Sequence, residues 1–88
     1  MKKYQKETKQ NTLRSCREQM DVTQNEVAVK IGCSVSSIDR WEKGKGMPSF
    51  GNLLSICALY KTLPEQVYPA LYKKLRDELN ATKKKSKG

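Results

Sequence analysis

At 88 residues the chain has room for one domain at most, because a core this small buries only ~60% of the unfolded surface and cannot be divided. No apolar run approaches the ~20 residues of a membrane span, and no apolar stretch follows the basic start, so a secretory signal is not expected and the protein is placed in the cytoplasm. The formal charge of +9 suits a polyanion partner, while the absence of histidine, of a Cys-x-x-Cys pair and of a Gly-rich phosphate loop argues against an enzyme, a metal site or a cofactor.

Residues 1–10 carry four lysines and one glutamate and read as a basic N-terminal tail, either following nucleic acid or merely keeping the chain soluble. Leu13, Cys16 and Met20 then fall on one face of a helix opening near Asn11 or Thr12. A second helix, Gln24 to Ile31, is announced by a capping box between Thr23 and Glu26 and by Val22, which can staple onto Val27. Gly32 supplies the left-handed residue that ends it.

Ser34 caps a third helix, from Val35 to about Lys43, closed by Gly44, with Cys33 stapling onto Ile38. So short a connection makes the two helices cross steeply. Ser49 caps a fourth, whose buried side is expected to be Phe50, Leu53, Leu54, Cys57 and Leu59 or Tyr60. Thr62 with Glu65 resembles a second capping box, with Pro64 in the first turn of a fifth element. Pro69 either kinks that element or begins a separate helix, and Leu71, Leu75 and Leu79 continue with a stripe flanked by Tyr68 and Tyr72. From Asn80 the apolar period is lost, and residues 81–88, with four more lysines, read as a second basic tail. The three cysteines, Cys16, Cys33 and Cys57, read as reduced, small apolar residues.

The third helix carries the chemistry. On a wheel of about 100° per residue, Ile38 and Trp41 lie within roughly 60° of each other and face inward. Ser36, Asp39, Arg40 and Lys43 share the opposite side, which is small and polar at its leading end. Such a helix fits the major groove of B-DNA, and short leading side chains let the backbone approach the base edges. Arg40 has the planar donor fork for guanine O6 and N7, and Ser34 and Ser36 can donate or accept at a base edge or phosphate. Val35 reads equally as a thymine-methyl contact or a half-buried core residue. Asp39 either steers Arg40 or pairs with Lys43. Gln24, at the positive end of its helix, can reach a phosphate oxygen, and Lys43 and Lys45 can grip the backbone of DNA. A solvated polar face is the alternative for each of these taken singly.

The run "TQNEVAVKIGCSVSSIDRWEKGKGMPS" resembles the Cro/repressor-type, Xre-like helix-turn-helix family through Thr23-Gln24, Ala28, Gly32, Ser34, Ile38, Trp41-Glu42-x-Gly44 and Pro48-Ser49, with "LLSICALY" where that family has its fourth helix. The resemblance covers residues 11–68 and implies an all-α, five-helix Cro/repressor-like bundle, here with an extra C-terminal helix or helix extension over residues 69–80. It implies base contacts from Ser34, Val35, Ser36 and Arg40 and phosphate contacts from Gln24, Ser37, Lys43, Lys45 and Asn52, with a double-stranded operator bound by a homodimer. Leu71, Leu75 and Leu79 either dock onto the protein's own core or form the expected dimer or partner interface. The functional expectation is a repressor of a phage or other mobile element. The competing expectations are an antitoxin or adaptor that grips a regulatory protein partner, and a nonspecific nucleic-acid binder acting through its lysine tails. Gly51, inside the fourth helix, costs up to ~1 kcal/mol relative to alanine unless another backbone approaches it.

Overall fold

The computed structural model describes the backbone of residues 5–87 and the side chains of residues 6–81. Its helical segments are α1 (Gln5–Thr8), α2 (Leu13–Gln19), α3 (Gln24–Ile31), α4 (Val35–Glu42), α5 (Phe50–Tyr60), α6 (Pro64–Val67) and α7 (Pro69–Lys87), with no strand among the described residues. The bundle of α2–α6 is all-α, as expected, and α7 is a separate helix begun by Pro69. Tyr68, at φ −122 and ψ 66, leaves helical geometry just before that proline, whose ring disfavours a helical predecessor.

Local chemistry sets the ends of α3 and α4. Thr23 Oγ1 accepts from the Glu26 backbone N at 3.1 Å while Glu26 Oε1 accepts from the Thr23 N at 2.8 Å, the reciprocal box that satisfies two orphan donors. Gly32 turns the chain at φ 84, a conformation that costs a β-carbon-bearing residue roughly 1 kcal/mol or more. Ser34 Oγ then accepts from the Ser37 N at 3.1 Å to open α4. The two helices pack directly on each other, and α5 closes on α3 from behind.

The core draws Leu13 from α2, Val27 and Ala28 from α3, Ile38 and Trp41 from α4, and Ile56, Cys57 and Tyr60 from α5. Val67, Tyr68 and Leu71 seal the far end. Val27, Ile56 and Val67 are fully enclosed, and burying each contributes about 1.5–3 kcal/mol.

The inward faces differ from expectation in three places. Phe50 and Leu54 are exposed, at 76% and 44%, and Ile56 occupies the buried side of α5 instead. The side of α5 that meets α3 and α6 runs through residues 53, 56, 57 and 60, so Phe50, one turn earlier, lies beyond the end of the packed surface. Met20 leaves α2 as its C-cap and is exposed. Thr62 does not cap α6: Leu63 is the N-cap, its backbone N donates to Gln66 Oε1 at 3.2 Å, and the Thr62 hydroxyl donates to the same oxygen at 2.8 Å.

Helical backbone reaches into both basic ends. Residues 5–8 form α1, which packs against α7, and Thr8 is buried. The Lys74 ammonium lies 3.8 Å from the Glu7 carboxylate across that contact. At the other end the backbone stays helical to Lys87, since residues 81–87 contain neither proline nor glycine and are mostly good helix formers. Residues 1–4 of the expected N-terminal tail, Gly88, and the side chains of the C-terminal lysines lie outside the described residues. Helix α7, about 28 Å long at 1.5 Å per residue, touches only α1 and α6 closely, and its far half leaves the body of a molecule 51 × 25 × 20 Å in extent.

Candidate nucleic-acid interface

Ile38, at 3% exposure, and Trp41 anchor α4, so its opposite side must protrude. Ser34, Val35, Ser36 and Arg40 are exposed, and Ser37 is half-buried with its hydroxyl 3.0 Å from that of Ser34. Val35, at 39% exposure, belongs to the outward set rather than the core. The leading turn therefore presents two hydroxyls and one methyl pair, with no long side chain to hold a duplex away.

A polar network fixes the pose of this helix. The Arg17 guanidinium, on α2, donates from Nε to Glu42 Oε2 at 2.6 Å and from Nη2 to Glu42 Oε1 at 3.2 Å. Its Nη1 donates to the Val22 carbonyl at 3.1 Å, tying the α2–α3 turn into the same cluster. The Glu42 side chain is only 5% exposed, so the fork-on-fork geometry is what makes its burial tolerable. That hydrogen bond to Glu42 holds the Arg17 pKa above its ordinary value, against the desolvation that lowers it. Sequence reasoning did not find this pair: its members are 25 positions apart and neither sits in a local pattern.

Gln24 extends the network. Its side-chain amide donates to Glu42 Oε1 at 3.0 Å and to Asp39 Oδ1 at 3.3 Å, so the Nε2 expected at a phosphate is occupied within the protein. What α3 still offers to an anion is its N-terminal end, where the dipole is positive. Asp39 also receives Lys43 Nζ at 2.9 Å, one turn along α4. The hydrogen bonds from Lys43 and then Gln24 hold its carboxyl below the usual carboxylate range. Asp39 thus organises two expected phosphate contacts and does not steer Arg40.

Arg40 points outward along the C-terminal half of α4, where Nη2 donates to the Lys45 carbonyl at 3.4 Å. A β-carbon at Gly46 would come within 3.2 Å of the same nitrogen, so the small residue leaves room for the fork beside the loop. Lys43 and Lys45 are exposed there, and Asn52 is half-buried in the first turn of α5. The structure brings Arg40, Lys43 and Lys45 together at one end of α4 and the serines at the other. Leu71 is buried in the protein's own core, Leu75 is partly buried and Leu79 is 69% exposed, so the expected α7 interface stripe divides. Burial pushes the Cys33 and Cys57 thiols up, which suits small packing residues rather than nucleophiles. Among the described residues no cluster could hold a metal ion, and no helix is long and apolar enough to cross a membrane. Nothing in the structure explains Gly51, which has no neighbour within 4 Å of an added β-carbon.

The family model described as Helix-turn-helix matches residues 13–67, the segment that runs from the start of α2 to the end of α6. The chain belongs to the Cro/repressor-type helix-turn-helix family. No curated protein and no solved structure matches it significantly. In this helix-turn-helix protein the motif is α3, the Gly32 turn and α4, and the family supports a DNA-binding regulator. Both α1 and α7 lie outside the matched segment.

Proposed function

We propose that the protein is a sequence-specific repressor of a phage or other mobile element, working on the nucleoid in the cytoplasm and binding a palindromic operator as a dimer. Helix α4 enters the major groove. Ser34, Val35, Ser36 and Arg40 meet base edges, and Lys43, Lys45, Ser37, Asn52 and the N-terminal end of α3, where Gln24 stands, meet phosphates. The observation that carries this reading is the exposed, short-chained leading turn of α4 on a helix clamped by Ile38, Trp41 and the Arg17–Glu42 pair. A rigid helix with a small outward face lets DNA approach closely, whereas a merely solvated face needs no such clamp. The repressor role and the mobile-element setting come from the family resemblance.

Dimer contacts are placed on α7. With Leu71 committed to the core, Tyr72, Leu75 and Leu79 are the stripe left for a second copy, Tyr72 and Leu79 being 46% and 69% exposed. The same exposed end favours a second reading, an antitoxin or adaptor gripping a different protein.

Selection of binding sites from random duplex DNA, with a mass measurement of the complex, tests the proposal. The expected outcome is a two-fold motif with half-sites about 10–10.5 bp apart and two chains per site. Arg40→Ala should then relax preference at one base pair by about 1–3 kcal/mol. Absence of any enriched motif would move the assignment to the adaptor reading.

A further inference from the structure

The basic N-terminal segment is fastened to the C-terminal end of α4, and nothing in the family's matched segment accounts for it. Asn11 is the fastener. Its Nδ2 donates both to the Thr8 carbonyl at 2.8 Å and to the Trp41 carbonyl at 3.2 Å, which also accepts from the Gly44 N at 3.1 Å in the closing turn of α4. Its Oδ1 accepts from the Leu13 N at 3.1 Å and so caps α2 as well. Next to it the Thr8 hydroxyl reaches the Gly44 carbonyl at 3.5 Å. Gly44 is buried under Lys9: at its φ of 74, a β-carbon would run into the Lys9 backbone and stand 2.7 Å from Lys9 Cγ. Glycine is required there both for the left-handed turn and for this backbone contact.

The consequence is electrostatic. Lys43 and Lys45 flank Gly44 in the chain, and Arg40 bonds the Lys45 carbonyl, so Lys9 joins three cations around one turn. Lys9 and Lys45 are exposed and have no ion-pair partner among the described residues. We infer that Lys9 is a DNA-phosphate contact, held beside the α4–α5 loop by the Asn11 latch, so that the N-terminal segment is part of the nucleic-acid interface. The inference rests on the DNA-binding function proposed above. A purely structural role is the competing account, since cations at the negative end of a helix dipole stabilise it without any ligand.

Counterion release separates the two. Binding of the full chain to a mixed-sequence duplex is measured across salt concentrations from about 50 to about 200 mM, for the wild type, Lys9→Gln, Asn11→Ser and Lys73→Gln. Lys73→Gln removes the same charge from exposed α7, to which the proposed function gives no DNA contact, and should leave the slope of log affinity against log salt unchanged. Lys9→Gln should make the slope shallower by about 0.9 per protomer bound, with an unchanged melting temperature. Asn11→Ser keeps an oxygen near the Leu13 N but replaces the two amide donors of the latch with a single hydroxyl on a shorter side chain, and should shift the slope the same way. Wild-type binding with no change in the Lys9→Gln slope, or an equal change in Lys73→Gln, overturns this inference and leaves the function standing. No binding by the wild type at any salt overturns both.

Discussion

The α3–α4 pair and the α5–α7 half of the molecule bury apolar residues by different means. Around α4 a dense polar frame surrounds Ile38 and Trp41: Arg17, Gln24, Asp39, Glu42 and Asn11 all bond to one another or to helix ends. The helices α5 and α7 are held mainly by apolar contact, with the Lys74–Glu7 ion pair a polar tie between α7 and α1, and each runs out past the packed body, leaving Phe50 and Leu79 in solvent. Directional bonds specify a pose, whereas apolar contact is non-directional and stabilises burial without fixing orientation closely. The half that reads DNA in the proposed function is the half given directional bonds.

That contrast can be broken in three places. Arg17→Ala would leave the Glu42 carboxylate, 5% exposed, without its partner, and urea melts should show a loss of about 3–5 kcal/mol. A loss under about 1 kcal/mol would mean that the frame is ornamental. In the apolar half, Tyr68 has a buried hydroxyl with no hydrogen-bond partner among the described residues. Tyr68→Phe should therefore stabilise the protein by about 1 kcal/mol. Burial pushes both Tyr60 and Tyr68 up to about 12 from an ordinary value of 10.0. The unfolded chain then loses these protons first as pH rises, so the stability they contribute is full below pH 10, falls from there and is lost through about 12. Tyr68→Phe should make that alkaline fall shallower, leaving Tyr60 and the raised Cys33 and Cys57 thiols to drive it. The smallest effect is expected at Phe50: Phe50→Ser should change stability by less than about 0.5 kcal/mol, and a larger loss would mean that α5 packs more tightly than its exposure indicates.

The legible part of the chain was its punctuation. Thr23 with Glu26, Gly32, Ser34 and Ser49 mark helix ends through bonds spanning three or four residues, and the structure has helices ending at each. Within the candidate site, the outward placing of Ser36 and Arg40 followed from the inward pair Ile38 and Trp41 through the helical period, whereas Val35 stood open between core and surface until the structure exposed it. The misread capping box at Thr62 shows the limit even of punctuation, since Gln66, one residue beyond Glu65, offers an equally good acceptor. Lysine-rich composition hid α1: its packing depends on Glu7 meeting α7 and Thr8 meeting Gly44, 36 positions away.

By itself the sequence determined where α3 and α4 begin and end, where α5 begins and which side of α4 turns outward, since caps and helical period act over one or two turns of neighbouring chain. Only the tertiary structure decided that Gln24 serves Glu42 and Asp39, that Leu71 belongs to the core, and that Asn11 and Lys9 close over Gly44. Those contacts join residues from separate helices, and a hydrogen bond or buried surface between distant segments exists only once the whole bundle has brought them together.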